Sequence, residues 1–171
     1  MTLGKYALLA QRTARKEPNV DHLLNGIMGL IGETGEVVDT LKKWHFQSEN
    51  NTPLPVCKII EELGDVLWYV VEFAKSINIP MNDLPIRDPV QEIDGIIPCA
   101  LSLAQSAILC AVDGEGTSKA DIVELIAKIS WIAEEYCTVS LSEVMNVNIN
   151  KLMKRYPEGF SVERSTNRDD C

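Results

Sequence analysis

Apolar residues recur three and four positions apart along most of this 171-residue chain, the spacing that places side chains on one face of an α-helix. Segments in which apolar and polar residues alternate between turns, as half-buried strands require, are absent from the sequence. The longest helical series consists of Leu23, Leu24, Ile27, Leu30, Ile31, Val37, Val38 and Leu41. The pattern predicts an all-α helical bundle, because amphipathic helices must cover one another's apolar faces.

Caps, glycines and prolines divide this pattern into six predicted helices. Asp21 is a suitable N-cap for the second helix, and Ser140 with Glu143 has the spacing of a capping box for the sixth. The third helix is apolar around most of its circumference, so we expect it at the centre of the bundle. The predicted helices span about residues 3–16, 22–46, 56–77, 93–112, 119–137 and 141–156.

The charge balance restricts the kinds of partner that the chain can have. Its formal net charge is −9, which argues against a nucleic-acid binder or a protein that lies on an anionic membrane. Charged residues interrupt the apolar runs, and the first residues do not resemble a leader peptide, so we predict a cytoplasmic protein without a membrane partner. An acidic protein that binds a phosphate-rich molecule needs a cation between the two.

Two pairs of acidic residues are the most informative feature of the sequence. Glu33 and Glu36 lie on the second predicted helix, and Glu62 and Asp65 lie on the third. Three positions separate the members of each pair, so each pair shares one helix face, and the short loop makes the two helices antiparallel neighbours. Only Lys58 offers these acids a basic residue within one helical turn. Burying unpaired carboxylates is costly, so we expect a cation among them.

The ligand types narrow the identity of this cation. Carboxylate oxygens favour Mg²⁺, Mn²⁺ or Ca²⁺ over metals that prefer thiolate or imidazole. A ferritin-like di-iron site needs Glu-x-x-His pairs, and neither His22 nor His45 has a glutamate three residues before it. The alternative is that the four acids form an ordinary solvated face. Glycines beside the acids, which would allow close packing or ligand approach, are Gly32, Gly35 and Gly64.

The acidic segments resemble a known family. Residues 29–39 and 61–69 are similar to the ExxE…ExxD signature of the MazG-like all-α nucleoside triphosphate pyrophosphohydrolases, and residues 148–160 resemble the C-terminal stretch of that family. The resemblance covers about residues 20–80 and 143–168. It implies a bundle of the all-α NTP pyrophosphatase type and Mg²⁺, with Mn²⁺ as a substitute, on Glu33, Glu36, Glu62 and Asp65. Glu61 would then support these ligands or accept a proton, or else be a solvated helix residue.

The same resemblance points to residues that would contact substrate. Asn148, Lys151 and Arg155 share one helix face and would bind phosphates, although ordinary surface residues at this spacing are the alternative. Independently of the resemblance, Trp44 and His45 at the end of the second helix are the candidates for a base or ribose contact, since their rings can stack on a base. Trp68 is expected to be a packing residue, since aromatic side chains at helical spacing usually lie in a core.

The chain departs from the compact members of this family between about Met81 and Leu141, where two extra helices intervene. We predict one domain over residues 1–171, with catalytic helices at about 20–80, extra helices at about 90–140 and a phosphate-binding segment at about 143–168. This layout resembles the longer, internally duplicated members, which include dimeric dUTPases.

The extra helices can be aligned with the first two as a degenerate internal repeat. Residues 21–39 then lie over residues 94–112, and residues 62–79 over residues 124–141. Only Glu124 matches an acid of the signature, namely Glu62. The other three acids are replaced by Ser106, Leu109 and Ala127. Two amphipathic helices can also align in this way by chance, so both explanations remain open.

The resemblance implies hydrolysis of (deoxy)nucleoside triphosphates to a nucleoside monophosphate and pyrophosphate, in nucleotide-pool housecleaning. Two alternatives remain at this stage. One is a phosphoribosyl-ATP pyrophosphohydrolase, which shares the acids, and the other is a non-catalytic helical scaffold or regulator. The family also implies a homodimer or a homotetramer.

Overall fold

The computed structural model describes residues 1–90 and 93–166. Seven α-helices and no strands are present in these residues, so the predicted all-α bundle is confirmed. The helices are α1 (Leu3–Ala10), α2 (His22–Gln47), α3 (Val56–Ser76), α4 (Ile96–Asp113), α5 (Lys119–Cys137), α6 (Leu141–Arg155) and α7 (Val162–Thr166).

Most of the helix boundaries follow the local signals in the sequence. The side chain of Asp21 accepts a hydrogen bond from the backbone of Leu24 at the start of α2. The predicted capping box of Ser140 and Glu143 is confirmed at α6, and Ser118 and Asp121 form a second one at α5. Each box satisfies backbone N–H groups that a helix N-terminus leaves without a partner.

The first and last helices differ from the prediction. Instead of continuing to about Lys16, α1 stops at Ala10 and passes into a 3₁₀ turn. The Ala10 carbonyl accepts hydrogen bonds from Thr13 Oγ1 at 2.7 Å and from Trp68 Nε1 at 3.2 Å. These contacts, one of them with a distant helix, satisfy the carbonyl that a longer helix would have used. The short helix α7 was not predicted.

Helix α3 lies at the centre of the bundle, as its apolar pattern predicted, and contacts α2, α5 and α6. Two glycines bring α2 close to it. A Cβ built on Gly29 would lie 2.0 Å from the ring of Tyr69, and one on Gly26 would lie 2.9 Å from Phe73 Cα. A larger residue at Gly26 would push α2 away from α3, and with it the acids that α2 carries, whereas one at Gly29 would have to displace the Tyr69 ring.

The extra helices α4 and α5 form a second pair, with α4 against α2 and α5 against α3. No charged residue lies between Ile96 and Val112. This helix is long and apolar enough to cross a membrane by length and composition, and about a third of its apolar stretch is buried in the structure. One such helix is weak evidence of a membrane protein, because core helices of globular proteins have the same composition.

Candidate active site

Three acids from two helices converge at one point between α2 and α3. Ligand oxygens of Glu33, Glu62 and Asp65 all lie within 4.8 Å of one another. Glu62 is buried, with 5% of its surface exposed, whereas Glu33 and Asp65 are half-buried. Glu36 lines the same cavity from one turn further along α2 and is exposed. The structure therefore brings three of the four predicted acids together and places Glu36 at the rim.

These acids lie in a cavity of about 400 Å³ that is open to solvent. Helices α2, α3 and α6 form most of its wall, and the segment after α6 completes it. Its lining residues include acids, bases and aromatic side chains: Thr13, Glu33, Glu36, Lys58, Glu61, Glu62, Asp65, Trp68, Tyr69, Lys151, Leu152, Arg155, Tyr156, Phe160 and Ser165. The volume suits a molecule of nucleotide size.

Two lysines supply cationic partners to the acids. Lys58 Nζ lies 2.7 Å from Glu62 Oε1 and 3.6 Å from Glu61 Oε2. Lys151 Nζ pairs with Asp65 Oδ2 and lies 3.3 Å from Glu61 Oε1. The hydrogen bond to Glu62 raises the pKa of Lys58. The sequence identified Lys58 as a local partner, but it could not place Lys151, which comes from a helix distant in sequence, among the acids.

A buried hydrogen-bond chain fixes one of the acids in place. Asn148 Nδ2 donates to Asp65 Oδ1 at 2.8 Å, and Tyr6 OH donates to Asn148 Oδ1 at 2.8 Å. Burial raises the pKa of Tyr6 well above its usual value, so this hydroxyl keeps its proton. Asn148 can come this close because Gly64 has no side chain. A Cβ at position 64 would lie only 2.8 Å from Asn148 Cβ. The expected role of Gly64 in close packing is confirmed, whereas Gly32 and Gly35 face open space.

The basic face of α6 has the predicted arrangement. Asn148, Lys151 and Arg155 all come from α6, and the last two line the cavity. Glu61 lies between the ammonium groups of Lys58 and Lys151 and is not a member of the three-acid group. Basic side chains thus reach the cavity from two helices, Lys58 from α3 and Lys151 and Arg155 from α6.

The predicted base contacts lie elsewhere. Neither Trp44 nor His45 lines the cavity, and Trp44 Nε1 donates to the carbonyl of Thr52 in the loop after α2. The aromatic side chains that do line the cavity are Trp68, Tyr69, Tyr156 and Phe160. Trp68 is also tied to the turn after α1, since its Nε1 lies 3.1 Å from Thr13 Oγ1.

Several of these residues were missed because their signals are not local. Tyr6 has no sequence feature that would reveal its contact with Asn148. Tyr156 and Phe160 lie in the C-terminal stretch that resembles the family, and this was the one available signal for them.

The second helix pair shows what surrounds the aligned positions there. Glu124, aligned with Glu62, accepts hydrogen bonds from Val90 N at 3.0 and 3.2 Å and lies 3.6 Å from Arg87. Ser106, which is aligned with Glu33, accepts a hydrogen bond from Lys128 Nζ at 2.7 Å. Lys128 Nζ also lies 3.8 Å from Glu124 Oε1. Lys128 and the segment that contains Arg87 and Val90 thus surround the aligned positions of the second helix pair.

Comparison with known proteins assigns the acidic segment to a family. Residues 23–91 match the family model of the MazG nucleotide pyrophosphohydrolase domain. This segment is MazG-like. The resemblance seen in the sequence is confirmed for residues 23–91, the segment that carries the four acids.

A curated relative agrees with this match. The Gene 37 protein of Mycobacterium phage L5 is 33% identical over 67 residues, which cover 36% of this chain and 54% of that protein. The chain thus spans about half the length of the curated relative that it matches. No solved structure matches the chain.

Proposed function

We propose that this chain is a Mg²⁺-dependent nucleoside triphosphate pyrophosphohydrolase, which cleaves (deoxy)nucleoside triphosphates to a monophosphate and pyrophosphate. The observation that carries the proposal is the convergence of Glu33, Glu62 and Asp65 within 4.8 Å, beside two lysines, in a MazG-like segment. The role would be control or housecleaning of the nucleotide pool in the cytoplasm. The net charge of −9 favours a free nucleotide over a nucleic-acid substrate.

The donor set fits the proposed metal. All the available ligand atoms are carboxylate oxygens, which Mg²⁺ prefers and Mn²⁺ accepts. Glu33, Glu62 and Asp65 would hold the ion, and Glu36 can reach the same cavity from its rim. When bound, Mg²⁺ would neutralise phosphate charge and lower the pKa of a coordinated water.

The chain's own residues would position the triphosphate. Lys151 and Arg155 line the wall formed by α6 and would bind phosphate oxygens. Asn148 would keep Asp65 oriented through its hydrogen bond, because its own carbonyl is held by Tyr6. Glu61 lies among the charged groups of the cavity and could accept a proton from an attacking water. Most of the catalysis would be positioning and charge stabilisation.

The base would lie against the aromatic part of the cavity. Trp68, Tyr69, Tyr156 and Phe160 provide apolar surface within the same 400 Å³ space as the acids. Trp44 and His45 lie on the last turns of α2 and could contribute only if that end of the helix took part in the site. The aromatic residues of the cavity are therefore the better candidates for a base contact.

Hydrolysis of a nucleotide panel tests the proposal. Purified protein is incubated with ribo- and deoxyribonucleoside triphosphates and phosphoribosyl-ATP, with and without Mg²⁺, and pyrophosphate and orthophosphate are measured separately. Mg²⁺-dependent release of pyrophosphate from nucleoside triphosphates is expected. Turnover of phosphoribosyl-ATP alone would indicate the histidine-pathway activity, and no turnover of any compound would favour a non-catalytic scaffold.

We further propose that the protein forms a homo-oligomer through an apolar face on α2 and α4. Seven side chains on these two packed helices each expose 42–78% of their surface: Leu24, Met28, Ile31, Leu101, Ile108, Leu109 and Val112. Together they expose on the order of 700–800 Å², against roughly 800 Å² per partner in a standard interface. The part of this face on α4 has no charged residue between Ile96 and Val112, which favours contact between two copies of a chain with net charge −9.

Sedimentation analysis tests this interface. Ile108→Glu should shift the protein from a dimer or tetramer towards the monomer, since it places a charge in the middle of the apolar face. Leu8→Glu, at an exposed position on α1, is the matched control and should leave the assembly unchanged. A wild-type monomer at micromolar concentration would contradict the proposal.

A further inference from the structure

We infer that Lys58 and Lys151 are resident counterions of the acidic cluster, which a divalent cation must displace before it can bind. This inference rests on the proposed function and concerns how the site exchanges one cation for another. It explains how five carboxylates can face one cavity, because two ammonium groups already lie among them.

The contacts show that oxygens of two of the three proposed ligands are engaged by the protein itself. Asp65 Oδ1 accepts from Asn148 and Asp65 Oδ2 pairs with Lys151. Glu62 Oε1 lies 2.7 Å from Lys58 Nζ. An ammonium group and a divalent cation that share one carboxylate oxygen would lie only a few ångströms apart and would repel each other. Each lysine therefore competes with metal binding as long as it keeps its contact.

The two lysines differ in how easily they can leave. Lys58 reaches the cluster from the first turn of α3, and 53% of its side chain is exposed. Lys151 is held between Glu61 and Asp65, and only 18% of its side chain is exposed. Lys58 can therefore rotate into solvent or towards a bound triphosphate, whereas Lys151 is constrained to remain within the cavity. This makes Lys58 a positioning residue that no part of the signature includes.

The binding of the metal ion and the binding of the nucleotide should therefore be coupled. A triphosphate offers new partners to lysines that the metal displaces, so metal and nucleotide should each strengthen the binding of the other. Without nucleotide, the lysines should keep metal affinity low. The site would then assemble fully only when both ligands are present.

Binding of Mn²⁺ alone to the nucleotide-free protein tests the inference without measuring activity. The free ion is followed by electron paramagnetic resonance during titration. Lys58→Met should tighten Mn²⁺ binding by roughly threefold to tenfold, because the metal no longer displaces an ammonium group. Lys58→Arg should bind no more tightly than the wild type, because it retains the positive charge. Mn²⁺ should also raise the melting temperature of Lys58→Met more than that of the wild type.

The matched control is Lys42→Met, which makes the same change in net charge at an exposed lysine paired with Asp39. It should leave Mn²⁺ affinity within about twofold of the wild type. If the wild type binds Mn²⁺ and Lys58→Met binds it no more tightly, the inference is wrong and the proposed function stands. If neither protein binds Mn²⁺ at millimolar concentration, the inference is wrong, because removal of the Lys58 charge does not open the site. If binding is also absent after a triphosphate is added, the proposed metal site is wrong as well. If only Lys58→Met binds it, the inference is supported most strongly.

Discussion

The two helix pairs of this protein surround their aligned glutamates in different ways. In the pair α2 and α3, Glu62 lies with two other acids in an open cavity, and its cationic partner Lys58 comes from an exposed position. In the pair α4 and α5, Glu124 is covered by the backbone of Val90 and by Arg87. In the first arrangement the partner of the glutamate is a half-exposed lysine beside an open cavity, whereas in the second a backbone N–H and an arginine hold the carboxylate.

This difference shows that one acid at the aligned position does not make a site. Ser106 stands where Glu33 would be in the alignment and serves as a hydrogen-bond acceptor for Lys128. Lys128 also donates to the carbonyl of Ser102, and 15% of its side chain is exposed, so it is fixed where Lys58 is free to move. These contacts fit a repeat whose second copy has kept its packing and lost three of the four acids.

The largest difference in activity is expected between two variants in which one of the aligned glutamates is replaced by glutamine. Glu62→Gln should lower pyrophosphate release by roughly a hundredfold to a thousandfold, since an amide cannot supply the charge that holds the metal. Glu124→Gln should leave turnover within about twofold of the wild type, because that side chain lies outside the cavity. Both variants should retain helical circular dichroism.

Steady-state assays at saturating Mg²⁺, with pyrophosphate as the measured product, compare the two variants directly. Equal losses of activity would show that the second helix pair takes part in catalysis. Full activity of Glu62→Gln would remove that residue from the site.

The sequence was sufficient where contacts are local and insufficient where they are not. The proximity of Glu33, Glu62 and Asp65 could be predicted, because helical spacing and a short loop determine which helix faces carry these acids. The neighbours of Asp65 on α6 could not, because their distance from α3 depends on the packing of helices far apart in sequence.

The ends of helices were also hard to predict, and for a related reason. The contact of Trp68 with Ala10 ends α1 early, and a tertiary contact of this kind leaves no periodic signal in the sequence. Trp44 and His45 were assigned to the substrate from their residue types and their position at the end of the second helix, and the structure places them outside the cavity. The fold class and the acid cluster were therefore predictable from the sequence. The aromatic lining of the cavity and the pairing of Lys151 with Asp65 became visible only in the structure.

An intermediate effect is expected from alanine at two helical glycines. Gly64→Ala should lower stability by about 1–3 kcal/mol, because its Cβ would overlap Asn148 and force α6 away from α3. Activity should fall by roughly tenfold as Asp65 loses its hydrogen bond from Asn148. Gly32→Ala meets no atom within 4 Å and should instead raise stability by up to about 1 kcal/mol, through improved helix propensity.

Thermal melting and urea unfolding of the two alanine variants measure these changes. The comparison is informative because both glycines neighbour a proposed metal ligand within a helix, and they differ in what lies against them. A stabilised Gly64→Ala variant would mean that α6 does not pack as closely as described.

The smallest effect is expected from the lysine of the second helix pair. Lys128→Met should lower stability by about 1–2 kcal/mol, because Ser106 Oγ and the Ser102 carbonyl lose a charged donor. It should not change Mn²⁺ affinity, since Lys128 lies outside the cavity, and this separates it from Lys58→Met. Lys119→Met, at an exposed position at the start of α5, is the control for loss of charge and should melt like the wild type. Tighter Mn²⁺ binding by Lys128→Met would mean that the second helix pair retains a cation site. The two helix pairs would then differ in their affinity for the metal ion rather than in whether they bind one.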